Sequence, residues 1–160
     1  MMKKISIVFL QAVIVLIGIV ALVILIWTPL TEGRATNLDA FSIYSDPFIW
    51  YVYVASITFF IILYKAFKLL SYIGQHRVCS SSSIKILKSI KYCAIVLSIL
   101  IAMAGVYIKL FHNLEDDPAG FLAICALSVF VSIVIAATAN VFEMVVQHVI
   151  AMKAENEPAN

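Results

Sequence analysis

The sequence predicts an all-α, polytopic integral membrane protein with four transmembrane helices, and three observations carry that prediction. Of the 160 residues 64% are apolar and only 12% charged, against roughly half and a quarter in an ordinary soluble domain. Mean hydropathy is +1.07, so there are too few polar side chains to cover a water-exposed globule of this size. The apolar residues fall into four runs, each on the order of the 20 helical residues that cross a hydrocarbon core about 30 Å thick. None alternates apolar and polar positions as a barrel strand does. Backbone groups in lipid must pair within their own segment, so each run is a helix. A soluble globule, a disordered tail and a secreted disulfide scaffold are all excluded.

The first run, Ile5 to Trp27, is interrupted only by Ser6 and Gln11. Lys3 and Lys4 precede it, as basic residues precede a secretory signal. A signal's apolar region is about 7–15 residues long and ends at a small-residue cleavage site. This run has 23 residues and leads into Trp27-Thr28-Pro29, so a retained transmembrane helix is expected. The second span begins after Pro47 and covers Phe48 to Tyr64. Its helix is expected to continue through Ile73 to a stop at Gly74, with Gln75 to Ser82 as a turn. Ser82 or Ser83 then caps a helix that runs through Lys85, Lys88 and Lys91 into the third span, Tyr92 to Leu110. The fourth span, Ala119 to Phe142, carries no charge at all.

Lys and Arg orient these spans. Lys3, Lys4, the loop residues Lys65, Lys68, Arg77, Lys85, Lys88 and Lys91, and Lys153 place nine basic residues on one side. The other side has Arg34 and Lys109 beside Glu32, Asp39, Asp46, Glu115, Asp116 and Asp117. Both termini, the basic loop 65–91 and the tail 143–160 are therefore expected in the cytoplasm, an N-in/C-in arrangement. Residues 1–160 form a single membrane domain in the bacterial cytoplasmic (inner) membrane. Aromatics mark both boundaries: Trp27, Tyr44, Trp50, Tyr51 and Phe111 outside, Tyr64, Tyr72 and Tyr92 inside.

Lys65, Lys68, Arg77, Lys85, Lys88 and Lys91 are the candidate contact residues, first for anionic lipid headgroups and then for an acidic protein partner. Attraction to the leaflet, about 1 kcal/mol per basic residue, outweighs the several tenths that each lysine costs near a helix N-terminus. Direct nucleic-acid binding is not expected of so short a stretch facing the membrane. Ala94, Ser98 and Ala102 in the third span match Ser128, Ser132 and Ala136 in the fourth in four-residue spacing. Such stripes let helices approach closely; the two spans are expected to pack together, with a homo-oligomer contact or a polar path as alternatives. Asn140, Glu143 and Gln147 form a polar stripe at i, i+3, i+7. Glu143 is expected at the inner interface, paired with Lys88 or Lys91, and a proton or cation site is the alternative. The lone amide of Gln11 suits a helix–helix hydrogen bond.

Chemistry-bearing motifs are few. Cys79, Cys93 and Cys125 have no C-x-x-C spacing, and His76 with Cys79 supplies only two ligands. His112 with Glu115, Asp116 and Asp117 reads as a turn before Pro118. No phosphate loop and no paired nucleophile and base are present. Neither an enzyme, a cofactor nor a metal is expected.

Leu63 to Ile73 (LYKAFKLLSYI), Ser83-Ile84-Lys85, Leu87 to Ala94 (LKSIKYCA) and Val149 to Asn156 (VIAMKAEN) resemble a bacterial family of four-span membrane proteins called domain of unknown function 2975. The resemblance covers about Ile57 to Asn156, after which the family often continues with a further acidic and apolar segment. The family has no accepted catalytic or ligand residues. Its genes often lie beside one for a small Cro-type helix-turn-helix regulator, which implies such a regulator as partner. Two functions are thus expected from different classes. One is a non-enzymatic membrane module that binds a regulator or senses envelope state through its basic face. The other is a small oligomeric transporter or immunity-type protein for a cationic or amphipathic compound, with Glu143 and Asn140 near the path.

Overall fold

The computed structural model describes residues 2–31, 47–75, 77–111 and 119–156. They hold four α-helices and no strand: α1 (Met2–Thr31), α2 (Pro47–Gly74), α3 (Ser81–Phe111) and α4 (Ala119–Asn156). The helices have 30, 28, 31 and 38 residues. At about 1.5 Å per residue each is longer than a hydrocarbon core, and each contains a window apolar enough to cross one. The four expected spans are the apolar parts of these longer helices.

The α2–α3 connection shows how the chain stops one helix and starts the next. α2 ends at Gly74, with the Gln75 N–H donating to the Ser71 carbonyl (3.2 Å) and the Arg77 N–H to that of Tyr72 (3.0 Å). The cap of α3 is Ser80 rather than Ser82 or Ser83. Its hydroxyl accepts from the Ser83 N–H at 3.3 Å, the bond from cap to third helical residue. Ser83 is fully buried in the first turn, its hydroxyl donating to the Arg77 carbonyl at 3.3 Å. Any of four consecutive serines has the chemistry of a cap, and the burial of Ser83 selects among them.

Consecutive helices are antiparallel and pack in chain order. Between α1 and α2, Gln11 Nε2 donates to Ser71 Oγ at 2.8 Å, and Gly18 and Gly74 let Leu63 and Ile7 approach. Between α2 and α3, the Tyr51 hydroxyl donates to the Leu100 carbonyl at 2.7 Å. Ile62, Ile86, Ile90, Ala94, Leu97, Ala136 and Ala139 form the buried core. Between α3 and α4, Gly105 lies against Cys125.

Buried positions on α3 include Leu87, Ile90, Ala94, Leu97 and Ala104; on α4 they are Cys125, Ser132, Ala136, Ala139, Glu143 and Val146. Steps of three and four alternate, as in a left-handed heptad seam. The four-residue stripes coincide with it only in part. Ala94, Ser98, Ser132 and Ala136 are buried and Ser128 is half-buried, whereas Ala102 is exposed. A four-residue step overshoots a turn of 3.6 residues by about 40°, so the stripe rotates off the seam, and Ala104 and Gly105 take the place expected of Ala102.

α1 packs on α2 and α4 on α3, with no substantial packing between α1 and α4 among the described residues. The helices therefore form an open succession rather than a closed ring, with a trough between the two outer helices. The trough, of 520 Å³, has α2 and α3 as its floor and Ala21 and Leu25 of α1 opposite Leu127 and Val131 of α4 as its walls.

Candidate functional site

Polar side chains gather at the end of the molecule that carries the α2–α3 turn and both chain ends, here called the basic end. Helical spacing brings Lys88 and Lys91 to one face of α3 and Asn140, Glu143 and Gln147 to the facing side of α4. Glu143 is the one buried charged residue among those described, 6% exposed. Its Oε2 accepts from Lys91 Nζ at 2.8 Å, and its Oε1 accepts from Gln147 Nε2 at 3.2 Å and lies 3.7 Å from Lys88 Nζ. Lys91 also donates to Asn140 Oδ1 at 3.2 Å, and its ammonium stands 5.4 Å from the Tyr92 ring centroid.

An isolated carboxylate between two helices would be costly, and here each carboxylate oxygen accepts a hydrogen bond. The cluster has two ammonium groups for one carboxylate. Lys91 is largely covered and spans the seam, while Lys88 stays half-exposed with a long, weak contact to Glu143. Asn140 and Gln147 are themselves exposed and act from the rim. The arrangement clamps α3 to α4 and leaves one positive charge at the surface.

Around it lie the remaining basic residues. Lys68, Arg77 and Lys85 are exposed and Lys65 is half-exposed, and no ion pair holds any of them among the described residues. The structure thus divides the six basic candidates into two that serve the clamp and four that face outward. Cys79 is exposed, Cys93 half-buried and Cys125 buried, all as free thiols. No three His, Cys, Asp or Glu side chains converge among the described residues. His76, His112, Glu115, Asp116 and Asp117 lie outside those residues.

The opposite end holds features that sequence reading missed. Phe48 stacks on Tyr107 with centroids 5.9 Å apart and meets Phe121 edge-on at 6.2 Å, and Tyr107 touches Phe111 at 5.0 Å. A 220 Å³ cavity there is lined by Pro47, Phe48, Tyr51, Met103, Ala104 and Tyr107. Tyr51 and Ala104 also line the trough, so the two cavities adjoin. Of these aromatics only Tyr51 and Phe111 read in sequence, as boundary markers, and the contacts of Phe48 with Tyr107 and Phe121 join segments far apart in the chain.

Comparison with known proteins agrees with this architecture. The family described as "Protein of unknown function (DUF2975)" matches residues 29–158, which takes in all of α2, α3 and α4 and leaves out nearly all of α1. The match reaches further toward the N-terminus than the block from Ile57 on which the resemblance was read. A protein of Bacillus subtilis (strain 168) named "Uncharacterized membrane protein YoaS" is 36% identical over 158 residues, 98% of each chain. No solved structure matches.

Proposed function

The chain belongs to the DUF2975 family of membrane proteins of unknown function, and from that premise we propose that it is a non-enzymatic module of the bacterial cytoplasmic membrane, N-in and C-in, whose basic end docks a partner. The observation that carries this reading is the division of the basic residues. Glu143 occupies Lys88 and Lys91, while Lys65, Lys68, Arg77 and Lys85 keep their charge for something outside the chain. Lys65 and Lys68 stand on α2 and Lys85 on α3, and the turn between them, which carries Arg77, is fixed by the Ser80 cap and the buried Ser83, so the surface is preorganised rather than a loose basic tail. Anionic headgroups satisfy part of that charge. An acidic face on a small cytoplasmic helix-turn-helix regulator is the protein partner of matching chemistry, and capture at the membrane would keep it from DNA.

The test is crosslinking of the tagged chain in its native membrane, with mass spectrometry of the products. Recovery of such a regulator in stoichiometric amount, lost when Lys65, Lys68, Arg77 and Lys85 are all replaced by Gln while insertion is unchanged, is the expected outcome. Self-crosslinks alone would favour the transport or immunity reading. In that reading Glu143 and Asn140 border a path, but the contacts of Glu143 with Lys91 and Lys88 of α3 support an inter-helix clamp instead. Unchanged resistance or transport in Glu143→Gln would remove that carboxylate from any path.

A further inference from the structure

The trough and the aromatic cavity have no part in the docking reading, and their chemistry points to a ligand of its own. The trough wall is almost wholly apolar, and two of its hydroxyls are turned to the backbone: Ser56 donates to the Val52 carbonyl at 2.7 Å and Tyr51 to that of Leu100. Its open side lies between α1 and α4, which have no substantial packing on one another among the described residues, so in a bilayer it faces lipid and fills from there. At 520 Å³ it has the size of a small-ligand site rather than a packing defect.

At the end remote from the basic turn the trough abuts the cavity framed by Phe48, Tyr51 and Tyr107. The hydrogen bond to Leu100 fixes the Tyr51 ring between the two spaces, and stacking on Phe48 orients Tyr107. Aromatic faces attract a cation through the ring quadrupole, most strongly one that sheds its water easily, such as a quaternary ammonium. In sequence, 32–46 and 112–118, which lie outside the described residues, carry Glu32, Asp39, Asp46, Glu115, Asp116 and Asp117 against Arg34 alone. Lys109 is exposed and lines neither cavity. An acidic excess next in sequence to these helix ends disfavours an anionic head and favours a cationic one.

We propose that the paired cavities bind a cationic amphipath, its ammonium head among Phe48, Tyr51 and Tyr107 and its alkyl tail in the trough between α1 and α4. The site is separate from Glu143 and is reached from the bilayer, not along the α3–α4 seam. It stands or falls independently of partner docking.

The experiment uses the full chain in neutral detergent and three photoreactive probes with one hexadecyl tail, differing only in head: trimethylammonium, sulfate and alcohol. The ammonium probe should label trough residues of α2, α3 and α4 and be competed by unlabelled hexadecyltrimethylammonium. Tyr107→Leu should lower that labelling about five-fold or more, the scale of one lost cation–π contact, while labelling by the alcohol stays the same. Ser128→Phe, which fills the trough, should lower labelling by all probes. Phe48→Leu repeats the head test should Tyr107→Leu misfold, and a Cys125 thiol that stays shielded from maleimide certifies folding of each variant. Equal labelling by the three heads, labels outside the trough, or an equal loss for all heads in Tyr107→Leu would overturn the proposal.

Discussion

At Glu143 a carboxylate sits between two helices, accepts hydrogen bonds from Lys91 and Gln147, and has a longer ion-pair contact with Lys88. Removing its charge leaves Lys91 largely covered with Asn140 as its remaining hydrogen-bond partner, which costs stability for a cation partly withdrawn from water. Glu143→Leu should therefore loosen the basic end of the α3–α4 seam, read as a lower thermal midpoint in detergent. The double variant Lys91→Met, Glu143→Leu should recover much of the loss, because no unpaired charge remains. A double variant less stable than either single change would refute the clamp. Tyr51 is a milder case. Its hydroxyl bonds a carbonyl that α3 already uses, and interhelical bonds in membranes average about 0.6 kcal/mol. Tyr51→Phe should cost roughly that much, and a loss several times larger would mean that the ring itself has moved.

Among the elements, α3 is the one every other part depends on, because it packs on both α2 and α4. Its start rests on Ser80, and Ser80→Ala should cost about 1 kcal/mol while Ser82→Ala costs little, since only the former bonds the Ser83 amide. Near its other end, Gly105 faces Cys125 with space for a methyl: a Cβ there would lie 3.5 Å from that of Cys125. Gly105→Ala should be neutral or slightly stabilising, and Gly105→Leu should part the helices at a cost of about 1–3 kcal/mol. Maleimide reactivity of Cys125, buried in the native seam, reports the separation directly. α1 is attached differently, by one face only: Ile7, Gln11, Ile14, Gly18, Ala21 and Leu25 are partly covered, again in steps of four and three, with Val13 beside them. The rest of its surface is apolar and exposed, as suits a helix solvated by lipid.

For the whole molecule, antiparallel packing in chain order sets both chain ends and the α2–α3 turn together, and nine basic residues lie on that side of the sequence. The N-in/C-in proposal then makes a sharp prediction about Cys79, the exposed thiol of that turn. A membrane-impermeant maleimide should leave Cys79 unlabelled in intact cells and label it in inside-out vesicles. Labelling from outside would invert the topology and with it the docking proposal. The open succession of helices also separates the two proposed sites in space. The outward-facing basic residues are displayed at one end, and the apolar trough with its aromatic cavity lies toward the other.

Hydropathy and run length determined that four helices cross a membrane, and a stop glycine placed the end of α2 at Gly74. Helical spacing and charge put Glu143 within reach of Lys88 or Lys91. Those features are local: apolar run length, a stop residue, and side chains at helical spacing can each be read from one segment. Which face of each helix meets its neighbour was not legible in the same way. Helices that are apolar nearly all round carry no amphipathic signal to mark a buried face, and association in lipid is decided by close packing of particular pairs. The stripe through Ala102 consequently drifted from the real seam, and Ser80 rather than Ser82 or Ser83 became the cap. Tertiary structure alone decided the heptad register, the gap between α1 and α4, and the meeting of Phe48, Tyr51 and Tyr107. Each depends on how two distant segments fit together, and no single segment contains that fit.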